Sequence, residues 1–162
     1  MRNGVSLQPQ LLTTLNLPEE ISTLYWEVCL HNEPAYVFLC QWHEAIHQVD
    51  DIVDGDVESK EKTIECFIRL HELYSNPFYR DKEDSLRMVV TLVTNTYADS
   101  VEWEKADAEW KRSWADVMRF AGNEMTCAIA YIVGGWNHMR FISRKIKALS
   151  YAGHHTEDHK QI

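Results

Sequence analysis

The chain has 162 residues and a formal net charge of −9, and 45% of it is hydrophobic, with six Trp, seven Tyr and five Phe. That is the size of one domain with a core of its own, which argues against a disordered chain and against a scaffold stapled by disulfides. Excess acid repels phosphate backbones, so nucleic acid is not expected as the main partner. The longest apolar run, Cys127 to Trp136, falls well short of the roughly 20 residues that span a bilayer, so no membrane partner is expected. The start, MRNGVSLQPQLL, carries no apolar targeting core, and the expected location is cytoplasmic. Cys29, Cys40, Cys66 and Cys127 are scattered without a CxxC pair and are expected as reduced thiols.

Only six Gly and four Pro interrupt the sequence, no stretch alternates polar and apolar long enough for a strand, and helical periodicity recurs throughout. The expected fold is all-α, a single-domain bundle of five to six helices over 1–162, with 1–16 as an N-terminal arm and 151–162 as a frayed tail holding His154, His155 and His159. Pro18 opens a first helix to about Asn32, with Glu19 and Glu20 complementing the dipole in its first turn. Glu33-Pro34 starts a second helix that runs to Asp54, where Gly55 suits a left-handed cap. Its core stripe is Phe38, Trp42, Ala45, Val49, Ile52 and Val53, and Tyr36, Val37 and Cys40 suggest cover on the other side near its start.

A third helix, about Glu58 to Tyr74, is expected to bury Ile64, Phe67, Ile68 and Leu70 or Leu73, and Ser75-Asn76-Pro77 ends it. The fourth begins near Asp84 and is free to continue to Phe120, because nothing between Ser85 and Arg119 breaks it. Ala121-Gly122-Asn123 then offers a stop and a new N-cap, and the last helix runs from Glu124 to about Ser150. Gly134-Gly135 inside it costs roughly 1–2 kcal/mol against alanine, which points to close packing or to room for a ligand.

The polar residues that could carry chemistry lie on three of these helices. On the fourth, Asn95, Asp99 and Glu102 share a face that also holds apolar residues, and the opposite face is apolar as well. The helix is therefore expected to be central with its polar row buried, a position in which carboxylates need a cation or hydrogen-bond donors. An edge open to water is the bland alternative. On the second helix Glu44, His47, Asp51 and Asp54 share a face by i, i+3 and i+4 spacing. The aspartates crowd a helix C-terminus, where they repel one another and oppose the dipole, a cost that a bound cation would offset. On the last helix Glu124 is a lone charge on an apolar stripe, read either as a site residue or as a dipole partner. Arg140, Arg144 and Lys147 share a face that could grip a phosphate or could simply complement the helix end.

Asp50-Asp51-Ile52-Val53-Asp54 satisfies DDxxD, and DDIVDGD resembles the first aspartate-rich motif of isoprenyl diphosphate and class I terpenoid synthases. That resemblance implies an all-α bundle in which Asp50, Asp51 and Asp54 hold Mg²⁺ against a substrate diphosphate, with Asn95, Asp99 and Glu102 as a facing set. The pairing of Asp51/Asp54 with Asp99/Glu102 is also similar in layout to small all-α nucleotide pyrophosphohydrolases of the MazG and dimeric dUTPase kind. His43-Glu44-Ala45-Ile46-His47 fits the zinc pattern HExxH, and Glu44-x-x-His47 fits half of a di-iron site, although the neighbouring aspartates favour a harder ion. The leading expectation is a Mg²⁺- or Mn²⁺-dependent hydrolase of a small diphosphate- or triphosphate-bearing molecule such as a nucleotide. In it Asp50, Asp51, Asp54, Asp99 and His47 bind metal, Glu44 or Glu102 acts as general base, and Asn95, Arg140 and Arg144 contact substrate. An isoprenoid-diphosphate enzyme, which would need an apolar tunnel beside the aspartates, and a helical interaction module, perhaps homodimeric, are the alternatives.

Overall fold

A computed structural model describes residues 17–55 and 60–158, with side chains through residue 150. The proposed arm over 1–16, the beginning of the third helix at Glu58 and the side chains of the histidine-bearing tail lie outside the described residues. The elements are α1 (Glu19–Val28), α2 (Glu33–Asp54), α3 (Lys60–Ser75), α4 (Pro77–Asp81), α5 (Glu83–Glu104), α6 (Glu109–Arg119), a 3-10 turn (Phe120–Gly122) and α7 (Asn123–Asp158). Among the described residues there is no strand. Nor, among them, is any helix long and apolar enough to cross a membrane.

Local chemistry sets most of the boundaries. Asn32 caps α2 by accepting from the Ala35 N–H, and Gly55 closes it in the left-handed region with φ 79°. At the end of α3, buried Asn76 accepts from the Phe78 N–H and donates to Gln41 Oε1, so one amide both starts α4 and ties it to α2. α1 ends sooner than its composition suggests. Leu30 and His31 take positive φ of 48° and 60° there, a conformation few side chains tolerate, and the His31 ring stacks on Trp26, which in turn lies flat against Tyr36.

Two departures from the sequence reading shape the molecule. The long fourth helix is broken: α5 stops at Glu104 and α6 restarts at Glu109. Arg112 holds the corner by donating to the carbonyls of Ala106 and Asp107, and Trp103 meets Trp110 edge-on with Lys111 over both rings. No proline or glycine marks this corner, so local propensity gave no sign of it. The last helix is folded in two. Gly135, at φ 73° and ψ −171°, occupies a region essentially closed to other residues, and the arms on either side run back along each other. Asn123 donates to Ser150, and Lys147 pairs with Glu124, contacts impossible between residues so far apart on a straight helix. A Cβ on Gly134 would sit 2.6 Å from the His138 ring, and that ring bonds the Val28 carbonyl. The glycine pair therefore makes a turn and leaves room for the His138 ring that reaches α1.

The core is formed by α1, the first two-thirds of α2 and both arms of α7, closed by α4, by Leu73 of α3 and by Leu86 and Val93 of α5. Phe38, Leu39, Met125, Ile129 and Ile142 are fully buried in it. Phe38, Trp42 and Ala45 of the expected α2 stripe are buried, but Val53 is not. Tyr36 and Cys40 confirm the cover on the helix's other side. On α3 the expectation fails for three residues: Leu73 and Cys66 are buried, whereas Ile64, Phe67 and Ile68 are more than half exposed. The reason is that, among the described residues, α3 packs mainly on α2 and α4, so only one narrow stripe is covered. α5 is not central either. It buries Leu86, Val93 and Ser100 and leaves Met88 and Leu92 exposed.

Candidate functional site

The face of α2 that carries chemistry is set by helical phase. His43, His47, Asp50 and Asp54 recur at i, i+4, i+7 and i+11, which keeps them within about 60° of one another. His43, His47 and Asp50 line a cavity of about 510 Å³. α1 adds Ile21 and Tyr25 to its wall, α7 adds Thr126, Ile146 and Leu149, and the 3-10 turn adds Phe120 and Gly122. Trp42 and Ile46 complete a mainly apolar interior, while Tyr97, Glu104, Asp116 and Arg119 make the opposite end polar.

At that polar end Arg119 gathers the acids. Its Nη1 lies 2.7 Å from Asp50 Oδ1, and its Nη2 lies 2.6 Å from Glu104 Oε1 and 3.4 Å from Asp54 Oδ1. Tyr97 donates to the same Asp50 oxygen at 2.6 Å, with the guanidinium over its ring. Burial works against the charge of Arg119, but hydrogen bonds to Asp54 and Glu104 and the fields of Glu104 and Asp50 hold its pKa above the ordinary value. Burial, then the bond to Asp50 and its charge, push the Tyr97 hydroxyl upward, so it remains a donor. Arg119 Nε is buried without a partner among the described residues. Three carboxylates against one guanidinium leave this cluster near −2. All three acids offer hard oxygen donors, the kind that suits Mg²⁺ or Mn²⁺. Even so, among the described residues no group of three or more His, Cys, Asp or Glu is arranged to hold a metal ion.

The other end is built around His43. Its Nδ1 is 2.9 Å from the Tyr25 hydroxyl, and the His47 ring meets it edge-on at 4.4 Å. Burial, then the neighbouring His47, bring the His43 pKa from the ordinary 6.5 down to about 4, so the ring is neutral at pH 7. Burial, then the nearby Cys40 and Cys29 thiols, raise the Tyr25 hydroxyl, which stays protonated. The same burial pushes the Cys29 thiol up to about 12 and that of Cys40 to about 11, so neither is a nucleophile at neutral pH.

The predicted site residues divide. Asp50 and Asp54 meet at Arg119, and His47 lies on the cavity wall. Asp51, 100° further round α2, lies with Gln48, Lys62 and Glu65 on the side toward α3. Glu44 also faces α3, paired with Arg69 at 2.9 Å, and burial raises its pKa despite that arginine. The HExxH pattern is thus split between two faces.

Asn95 and Glu102 are exposed and Asp99 is half-buried, and the Asn95 amide donates to Asp99 along the helix surface. Since α5 meets α2 through Tyr97, a residue about 200° from Asp99, Asp51 and Asp99 do not face each other. The burial expected of that polar row is therefore not found, because α5 covers only one flank. Arg140 and Arg144 are exposed and are not part of the cavity wall. Tyr97, Glu104 and Arg119 were missed. Tyr97, Ser100 and Glu104 share an i, i+3, i+7 face legible in the sequence, but only the α5–α6 corner brings Arg119 to it. Compared with protein-family models, curated proteins and solved structures, the chain gives no significant match.

Proposed function

We propose that this chain is a divalent-cation-dependent enzyme acting on a small organic phosphate, held with its phosphate at Asp50, Asp54, Glu104 and Arg119 and its organic body in the cavity. The observation that carries this reading is the placement of Asp50, joined to Asp54 and Glu104 through Arg119, at one end of a mainly apolar cavity of about 510 Å³, a size typical of small-molecule sites. Asp50, Asp54 and Glu104 would hold the cation, with the guanidinium standing in for it in the ligand-free protein. A bound divalent ion would neutralise phosphate charge and acidify a water. Arg119, released from the acids, presents a planar pair of donors suited to phosphate oxygens. Besides Asp50, the carboxylates lining the cavity are Glu104 and Asp116, and these two take over the general-base candidacy from Glu44 and Glu102.

The apolar wall equally suits an isoprenoid diphosphate, so hydrolysis and condensation are separated by substrate. Melting curves and phosphate release are measured with nucleoside triphosphates and prenyl diphosphates, each with and without Mg²⁺. Stabilisation that needs both phosphate ester and Mg²⁺ is expected. No shift with any pair refutes the reading.

A non-catalytic interaction module is favoured by a separate observation, the exposed stripe Ile64, Phe67 and Ile68 on α3. Sedimentation at rising concentration tests it for self-association, which Phe67→Glu should abolish.

A further inference from the structure

Under the proposal that the cavity holds an organic phosphate, its second polar end acquires a role. Seven residues separate His43 from Asp50 on one helix face, about 10 Å at 1.5 Å per residue. Both line the same cavity, with the apolar Ile46 between them. The imidazole is fixed in place: Nδ1 bonds the Tyr25 hydroxyl, and the ring edge abuts His47. Among the described residues Nε2 has no hydrogen-bond partner, and it is not among the sealed polar atoms. When Tyr25 donates to Nδ1, Nε2 presents an N–H; in the other tautomer it presents a lone pair. The wall also carries His47, Thr126 and the mutually bonded Asn123 and Ser150, and in either tautomer the His43 nitrogen is the hydrogen-bonding group there whose direction Tyr25 fixes.

We infer that His43, positioned by Tyr25, selects ligands whose organic body ends in a hydrogen-bonding group about 10 Å from the phosphate, as on a nucleoside base edge or a terminal hydroxyl, over plain hydrocarbon chains. Burying an apolar terminus against Nε2 strips that nitrogen of water and returns nothing, whereas a hydroxyl or ring edge replaces the lost bond. Polar sites of this kind discriminate against analogues that lack the partner group more sharply than apolar pockets discriminate by size. Tyr25 does not touch the ligand in this arrangement. It holds the ring.

The test is calorimetric binding in Mg²⁺ of four probes: inorganic pyrophosphate, a ten-carbon alkyl diphosphate, the same chain with a terminal hydroxyl, and a nucleoside diphosphate. Wild type is expected to bind the hydroxylated chain and the nucleotide about tenfold or more tighter than the plain chain. His43→Phe should abolish that preference and leave pyrophosphate binding unchanged, and His43→Gln, which keeps a polar group near the Nε2 position, should retain part of it. If His43→Phe does not fold, Tyr25→Phe serves instead and should weaken the preference. Pyrophosphate bound by a wild type that shows no preference, or a preference that survives these substitutions, overturns the role of His43 alone. Failure of every phosphate probe to bind overturns both this inference and the reading on which it rests.

Discussion

Replacing Arg119 with Gln removes the one cation shared by Asp50, Asp54 and Glu104. Two short charge-assisted hydrogen bonds of 2.7 and 2.6 Å are lost, with two longer ones and the contact over the Tyr97 ring. Breaking a fully buried pair costs roughly 3–5 kcal/mol, and an exposed pair is worth about 0–1. Arg119 is 19% exposed but its three partners are 35–42% exposed, so water recovers part of the loss. The intermediate value is about 2 kcal/mol, or roughly 4–8 °C in melting temperature for a domain of this size. Released from Arg119, the carboxylates should answer to cations. At ten times its Kd a divalent ion adds about 1.4 kcal/mol, and wild type should gain less because its guanidinium competes. The assay is thermal denaturation of both proteins across a Mg²⁺ titration. A loss below about 1 °C would show the cluster to be a solvated surface contact, and equal Mg²⁺ responses would show that the acids do not form a shared cation site.

The remaining predictions concern pH, the α7 turn and the exposed stripe. Because the His43 pKa in the fold, about 4, lies below its ordinary 6.5, the unfolded chain binds the extra proton. Stability should therefore fall as pH drops from 6.5 to 4, by about 2 kcal/mol after allowance for the ring's partial exposure. Urea titrations at stepped pH should show His43→Phe losing that portion of the slope. Gly135→Ala places a side chain at φ 73° and ψ −171° and should cost about 1–3 kcal/mol in chemical denaturation; a neutral result would mean the α7 arms are not folded back. Leu73→Ala, at a fully buried site, should cost about 2–5 kcal/mol, whereas Phe67→Ser, at a position 73% exposed, should stay within about 0.5 kcal/mol in monomer. Similar losses at the two sites would mean that α3 packs by the stripe assigned here to solvent.

Short-range chemistry settled much by itself. The Glu33-Pro34 start, the Gly55 cap, the Ser75-Asn76-Pro77 stop and the apolar period of α2 act over a few residues, and the helix boundaries they predict are present, whereas the short α4 beginning at Pro77 is not among them. The DDxxD aspartates could likewise be singled out, because like charges crowding a helix end demand compensation wherever the chain goes. Their compensator could not be found that way. Arg119 reaches Asp50 across 69 positions, and that meeting depends on a helix break at Ala106-Asp107 which no breaker residue announces. The sense of an amphipathic face is also a tertiary matter. Ile64, Phe67 and Ile68 have the period of a buried stripe, yet among the described residues α3 is covered on its Cys66 and Leu73 side. The choice between the Asn95/Asp99/Glu102 face and the Tyr97/Ser100/Glu104 face of α5 was undecidable from periodicity, since both carry polar groups at helical spacing. Packing decided it, because the second face brings Tyr97 to Asp50 of α2 and Glu104 to Arg119 of α6, which gives its polar groups partners.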